Sequence, residues 1–199
     1  MLLLITGASG MGKTTVRKIV AAQFADRLES CELAEVAGAP EWSLRWRHQA
    51  VEKAVQRAVR VQRQGKHFLL CGDPVAPAEV YAAPSGDQLE GIAVCLLDAS
   101  EAAQRLRLMA RGDDPALLPH HIAFADWLRA HITNPGHRLE VVMQGGWDKM
   151  QWDRWTCAAE RPGLWRPHRI DTTGLDPAEV AKLAAAWIRQ QMAEHVILT

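Results

Sequence analysis

The chain alternates short, continuous apolar runs with longer stretches in which apolar residues recur every three or four positions. Leu2–Thr6 is the first apolar run, and a glycine follows it, as is typical of a strand buried on both faces of a parallel sheet. Helical periodicity begins at Lys13 and ends near Leu28. These residues predict one strand–helix unit at the start of the chain.

The same alternation continues along the rest of the sequence. It predicts further strands at residues 31–36, 68–71, 92–97 and 169–171, and helices at residues 41–64, 101–110, 119–132 and 177–192. A Pro- and Ala-rich loop leads to residue 92, residues 139–143 are another strand candidate, and residues 144–168 form an irregular stretch. Strands that alternate with helices imply a mostly parallel sheet covered on both faces, with a ligand site at the carboxyl ends of its strands.

The length of 199 residues suits a single domain, within which we treat residues 101–168 as a subregion. With 48% hydrophobic and 23% charged residues, the composition is that of a soluble globular protein and excludes a disordered or membrane chain. Residues 1–5 are too short for the apolar region of a signal peptide, so we expect a cytoplasmic protein, either monomer or homodimer. The four cysteines are too widely spaced for a zinc site.

The 23 basic residues cancel the 23 acidic ones, so no overall positive field attracts nucleic acid or an anionic membrane. Binding to nucleic acid would require a local basic patch. We therefore expect a small molecule as the partner and no membrane.

The first loop matches the Walker A pattern G-x-x-x-x-G-K-[ST] in full, with the residues Gly7, Ala8, Ser9, Gly10, Met11, Gly12, Lys13 and Thr14. Its glycines let successive backbone N–H groups turn toward one point, where the start of a helix adds partial positive charge. Lys13 can reach the β- and γ-phosphates of a nucleotide, Thr14 can ligate Mg²⁺, and Thr15 would lie near the α-phosphate. This P-loop (residues 7–14) predicts binding of a nucleoside triphosphate with Mg²⁺. We expect ATP as the more common nucleotide, and the sequence has no N-K-x-D motif of the kind that reads guanine.

Asp73 follows the buried strand at residues 68–71 and is the best candidate for a catalytic carboxylate. In that position it can hold Mg²⁺ or accept a proton from an acceptor hydroxyl. The alternative is that Asp73 only opens a turn before Pro74. Glu35 and Glu41 flank the turn at residues 38–40, which follows the predicted second strand, and either could contact the acceptor or the metal. Each is more typical of a helix end or of a solvent-exposed charge.

Phosphoryl transfer needs cations aimed at the transferring group, and arginines near a flexible segment can supply them. Arg111 precedes the polar break at residues 112–115 and is the first candidate, with Arg105 second and Arg129 possible on position alone. Arg107 and Arg111 share a helix face, whereas Arg105 lies elsewhere. The alternative for each arginine is a solvated basic helix face.

Eight of the twelve aromatic residues are tryptophans. Trp42 and Trp46 share a helix face and could stack on a flat substrate. For the tryptophans in residues 147–165, packing in a loop-rich subregion is the simpler interpretation. The same holds for His120, His121 and His131, which lack partners at metal-ligand spacing.

Taken in order, these elements resemble the small P-loop kinases, which include the nucleoside monophosphate kinases and the shikimate and gluconate kinase group. The resemblance implies an α/β, three-layer P-loop NTPase fold with a mostly parallel five-stranded sheet and a helical lid. It implies an acceptor site over the second strand and the long helix. The segment from Arg105 to Gly112 is similar to the entry of a lid with R-L-x-x-R-like arginines. Residues 171–174 are similar to the loop that contacts adenine, which would place Thr172 and Thr173 at the base.

The sequence thus predicts a phosphotransferase that moves the γ-phosphoryl group of ATP to a small-molecule hydroxyl or phosphate. In this prediction Lys13 holds phosphate, Thr14 and Asp73 serve the metal, and Arg111 with Arg105 stabilise the transferring group. One alternative is an NTPase that acts as a conformational switch. Another is a polynucleotide or RNA-end kinase, for which a basic groove could be made by Arg45, Arg47, Arg57, Arg60 and Arg63.

Overall fold

The computed structural model describes residues 1–38, 41, 43–160 and 167–194. Within them, five strands form one parallel sheet in the order β2-β3-β1-β4-β5. The strands are β1 Leu2–Thr6, β2 Leu28–Cys31, β3 His67–Cys71, β4 Ile92–Asp98 and β5 His168–Asp171. The expected α/β fold with a parallel sheet is confirmed.

β1 is the central strand and pairs with β3 and β4, so that Leu4 lies opposite Leu70 on one side and Val94 on the other. Successive side chains of a strand point to opposite faces of the sheet. Leu3 and Ile5 accordingly belong to one core, whereas Leu2 and Leu4 belong to the other. The continuous apolar run of β1 is required because both of its faces are buried.

Two helices cover the first face, α1 Lys13–Gln23 and α9 Pro177–Glu194, which pack against each other. Val16 and Val20 of α1 and Ala184 and Ile188 of α9 bury their side chains there with Leu3. The other face is covered by the long helix α3 Leu44–Gln62 through its buried apolar stripe, which includes Val51 and Val55. Three layers result.

The remaining helices are α2 Leu33–Ala37, α4 Pro77–Ala82, α5 Glu101–Arg111, α6 Leu118–Thr133, α7 Glu140–Met143 and α8 Trp152–Ala159. The Ser100 side chain caps α5 by accepting a hydrogen bond from the Ala103 amide. Across all described residues, no helix is both long and apolar enough to cross a membrane.

The prediction of a strand at residues 31–36 was wrong. The second strand is β2, which ends at Cys31, and Leu33 already begins α2. The Glu35 side chain accepts a hydrogen bond from the Glu32 amide in a reciprocal capping box, and the Asp73 carboxylate accepts one from the Leu33 amide. These polar contacts turn the chain into a helix directly after the strand.

The strand candidate at residues 139–143 was also wrong, since Glu140–Met143 is the short helix α7. Its amides bond to carbonyls three or four residues back, and Val142 is buried against α6. The predicted loop before residue 92 contains α4, and the stretch predicted as irregular contains α8. Three predicted helix ends also shift. α1 ends at Gln23 rather than near Leu28, and α3 spans Leu44–Gln62 rather than residues 41–64.

Trp155 is a core residue that is 1% exposed, and its indole N–H donates to the Pro135 carbonyl. Trp127 stacks on His131, which in turn lies beside Trp155. The packing interpretation therefore holds for Trp155 and His131, which are both buried. Trp42 and Trp165 lie outside the described residues.

Candidate active site

The P-loop connects the end of β1 to the start of α1. Gly7 has a φ of 154°, and a side chain there would meet the Leu97 carbonyl, because a Cβ would lie 2.4 Å from its oxygen. Gly12 has a φ of 85°, which also favours glycine. The Val16 amide donates the first hydrogen bond of α1 to the Gly12 carbonyl, so the amides of residues 13–15 have no acceptor within the helix. This is the arrangement that binds an anion at a helix N-terminus.

The Lys13 ammonium group is buried at the centre of this loop, with 6% of the residue exposed. Its Nζ donates to the Ala8 carbonyl at 2.8 Å. Burial lowers the pKa of Lys13 to about 8, against the opposing attraction of Cys71 and Asp73. A cation that has lost most of its hydration gains strongly from an anionic ligand, so the site suits a phosphate group.

A cavity of about 460 Å³ opens in front of the loop. Its walls come from the P-loop and the start of α1, from the end of β3, and from α5: Ser9, Gly10, Gly12, Lys13, Thr14, Thr15, Gly72, Pro74, Arg107 and Arg111. Thr14 and Thr15 are exposed to it, whereas Ala8 and Met11 point into the core and anchor the loop. We call this space the phosphate cavity.

One face of α5 packs on the P-loop. The Gln104 amide donates to the Ser9 carbonyl at 2.9 Å, and Leu108 lies against Gly10. Arg107 and Arg111 continue the same stripe, at the i, i+3, i+4, i+7 spacing of a single helix face. Arg107 and Arg111 of α5 therefore both line the phosphate cavity, where the Arg111 guanidinium is also paired with Asp113, its Nε donating to Oδ1 at 2.6 Å.

Arg105 is not part of this arginine pair. Its guanidinium is bonded to Glu101 one turn earlier on the exposed face of α5, and it does not line the phosphate cavity. Arg129 is also engaged elsewhere, with Asp98 and Asp126. The R-L-x-x-R spacing at the cavity runs from Arg107 to Arg111 rather than from Arg105.

A second cavity, of about 240 Å³, lies on the other side of Arg107 and is largely apolar, with Met11, Val16, Leu175 and Val180 among its walls. Arg107 donates to the Thr172 hydroxyl at 2.8 Å and to the Thr172 carbonyl at 2.6 Å. Thr172 lines this cavity, whereas the Thr173 hydroxyl accepts from the Ser100 amide and does not line it. A flat apolar base would fit here.

Asp73 stands between the phosphate cavity and a third pocket. Its Oδ2 accepts from the Leu33 amide at 2.6 Å, so it serves as a cap for α2, while Gly72 and Pro74 on either side line the phosphate cavity. Among the described residues, no group of three or more His, Cys, Asp or Glu side chains is arranged to hold a metal ion. An Mg²⁺ ion that arrives with nucleotide phosphates would be held by the Thr14 hydroxyl, which is exposed to the phosphate cavity.

The third pocket has a volume of about 310 Å³, and we call it the Trp46 pocket. Its walls are Leu33, Glu41, Ser43, Leu44, Trp46, Arg47, Asp73 and Pro74. Pro74 borders both this pocket and the phosphate cavity, so the two are neighbours. Glu41 lies in this wall, whereas Glu35 is bonded to Arg17.

No family model matches the sequence, and no curated protein matches it either. Solved structures do share its fold. One is a sugar kinase from Janibacter sp. HTCC2649, 15% identical, with a TM-score of 0.57 and coverage of 94% of each chain. Another is a gluconokinase from Sinorhizobium meliloti 1021, 16% identical, with a TM-score of 0.56 and coverage of 96% of this chain and 93% of the other. The protein has the fold of the small P-loop kinases.

Within this P-loop kinase fold, sequence reasoning missed two features of the site. The first is Arg107, although its spacing to Arg111 was visible in the sequence. The second is the buried partner of Arg47, the Glu79 carboxylate, which is bonded to two guanidinium nitrogens. Nothing local in the sequence signals that pair, because its members are 32 residues apart.

Proposed function

We propose that the protein transfers the γ-phosphoryl group of ATP to a small molecule bound in the Trp46 pocket. One observation carries the proposal: the phosphate cavity, with its lysine and two arginines, adjoins a separate pocket across Pro74. An NTPase that only hydrolyses nucleotide has no need of a second pocket at this position. The kinase folds of the structural neighbours support the same reaction class.

In this proposal the loop amides and Lys13 hold the β- and γ-phosphates, and Thr14 ligates Mg²⁺. When bound, Mg²⁺ would neutralise part of the negative charge of these phosphates. Arg107 and Arg111 face the transferring group, where fixed cations stabilise the charge that develops in the transition state. Thr172 and the apolar cavity beside it receive the base.

The reaction forms a bond between an acceptor oxygen and the γ-phosphorus and breaks the bond from that phosphorus to the β–γ bridging oxygen. ADP leaves with the electron pair of the broken bond. The proton of an acceptor hydroxyl passes to the Asp73 carboxylate, which lines the Trp46 pocket between Gly72 and Pro74 of the phosphate cavity wall. Asp73 would thus combine a structural role at α2 with a role in transfer.

The polynucleotide-kinase alternative is less well supported. Of the arginines that could form its basic groove, Arg47 is neutralised by Glu79 and Arg57 is paired with Glu29. A row of unpaired cations, which the backbone of a nucleic acid would require, is therefore interrupted.

The test is a screen of metabolite fractions with ATP labelled at the γ-phosphate. We expect one or more compounds to gain label in the presence of the protein and Mg²⁺, and no transfer by Lys13→Ala. Lys18→Ala removes an exposed lysine of the same helix and should behave as the parent protein. ATP hydrolysis that no fraction diverts into a phosphorylated product would instead identify the NTPase alternative.

A further inference from the structure

We infer that the acceptor is an uncharged or cationic molecule with a planar or apolar face, and not a carboxylate or a phosphate. The inference rests on the proposed phosphotransfer, because it concerns the acceptor of that reaction. It follows from the charges and surfaces of the Trp46 pocket.

Arg47 is the cation in the described wall of this pocket, and its charge is already compensated. Its Nε donates to Glu79 Oε1 at 2.6 Å and its Nη2 donates to Glu79 Oε2 at 2.8 Å. The same Nη2 also donates to the Pro74 carbonyl. This is a two-point guanidinium–carboxylate pair, which is the strong form of the interaction.

Glu79 is completely buried and faces Arg47 from behind the pocket wall. Its Oε2 also accepts from the Ala76 amide at 2.7 Å. Burial lowers the pKa of Arg47, but attraction and hydrogen bonding by Glu79, together with attraction by Asp73, outweigh it and the net pKa is raised. An anionic acceptor would have to compete with Glu79 for Arg47, and separation would leave a buried carboxylate without its cation.

The other charges in the wall are negative. Glu41 and Asp73 both line the pocket, and neither is in an ion pair with a described residue. In the phosphate cavity, Lys13 and Arg107 would be occupied by the phosphates of the donor, and Arg111 is also paired with Asp113. An acceptor with its own negative charge would therefore meet the repulsion of Glu41 and Asp73 without an uncompensated cation in the described wall of the pocket.

The rest of the described wall is apolar apart from Ser43. Leu33 is buried behind the pocket, and Leu44, Trp46 and Pro74 form its sides. The indole of Trp46 offers a flat face suited to stacking. At about 310 Å³, the space is at the small end of ligand pockets and suits a compound with one ring.

Three matched probes test the inference: 2-phenylethanol, phenethylamine and phenylacetate, which share a ring and differ in charge. Their binding is measured by ligand-detected NMR on protein loaded with Mg²⁺ and the non-hydrolysable ATP analogue AMP-PNP. We expect the first two to bind and phenylacetate to bind about tenfold more weakly or not at all. Phenylacetate binding as tightly as phenethylamine, or no binding by any of the three, would overturn the inference.

Variants test where the probes bind and separate the contribution of ring stacking from that of charge. Trp46→Ala should abolish the signals of the two binding probes, and Trp46→Phe should retain them. Glu41→Gln should weaken phenethylamine by about two- to fivefold and leave 2-phenylethanol unchanged, as for a partly exposed ion pair. Asp26→Asn removes an exposed carboxylate outside the pocket and serves as the control. Equal effects of Glu41→Gln on both probes would contradict the charge argument.

The labelled-ATP screen distinguishes this inference from the proposed function. A labelled product made from a carboxylate or phosphate acceptor would overturn the inference and leave phosphotransfer intact. Probe binding as expected, together with hydrolysis that never yields a labelled product, would overturn phosphotransfer and leave the chemistry of the pocket intact.

Discussion

Lys13 holds a buried ammonium group next to an open cavity, and its proton is therefore easily lost. Burial disfavours the charged form and brings the pKa down to about 8 in the nucleotide-free protein. Nucleotide phosphates favour the charged form, so their binding raises the same pKa. Above the pKa of the free protein, nucleotide binding must take up a proton.

The affinity for Mg–ATP should therefore fall with pH on the alkaline side. We expect a plateau below about pH 8 and a loss of up to tenfold per pH unit above it, as linkage requires for one proton. Titration calorimetry in buffers of different ionisation enthalpy measures both the affinity and the proton uptake. Lys13→Met should bind more weakly and show no alkaline fall, whereas Lys18→Met should retain it. Alkaline loss that persists in Lys13→Met would assign the effect to another group.

At the level of the element, α5 divides its faces between two roles. Gln104, Arg107, Leu108 and Arg111 face the P-loop, while Leu106 on the other side is 69% exposed. The Ser100 cap fixes where the helix starts and therefore which residues point to the cavity. Arg105, two residues before Arg107, cannot share its direction.

Arg107→Ala and Arg105→Ala form a matched pair on this helix. We expect Arg107→Ala to lower the rate of phosphoryl transfer by about a hundredfold to a thousandfold, as for loss of a group that stabilises developing charge. Arg105→Ala loses only an exposed pair with Glu101, so its rate should stay within about twofold. The measurement is single-turnover label transfer to an acceptor found in the screen. Equal losses of transfer rate in the two variants would show that it does not matter which face of α5 carries the arginine.

The elements differ in how far the sequence predicts them. β1, the P-loop and α1 follow from a continuous motif of adjacent residues. The break between β2 and α2 depends on Asp73, which is 40 residues away from the Leu33 amide that it accepts from. Likewise, the choice between Arg105 and Arg107 depends on the phase of α5 relative to the P-loop. The local capping box of Glu32 and Glu35 also contributes to the first point, but the parts played by Asp73 and by the phase of α5 come from distant segments, and local patterns do not contain them.

At the level of the whole molecule, β1 joins the two cores, because its alternate side chains belong to different ones. Leu4 is fully buried on the side of α3. Leu106 has the same side chain but lies on the exposed face of α5. The two leucines therefore offer an internal comparison of burial.

Leu4→Ala should lower the free energy of unfolding by about 2–5 kcal/mol, since it leaves a cavity in a packed core. Leu106→Ala should change it by less than about 0.5 kcal/mol. Urea denaturation followed by tryptophan fluorescence gives both values. A large effect of Leu106→Ala would mean that this face of α5 is covered in solution.

Glu79 has a consequence for how relatives of this protein should be compared. No ligand can touch this carboxylate, since it is completely buried, yet it determines whether Arg47 is available to an anion. Two chains could carry identical residues around the Trp46 pocket and still select acceptors of opposite charge, if they differed at position 79. In such a case selectivity would depend on residue 79, which lies behind the pocket wall. An alignment of the pocket residues alone would then assign the wrong substrate.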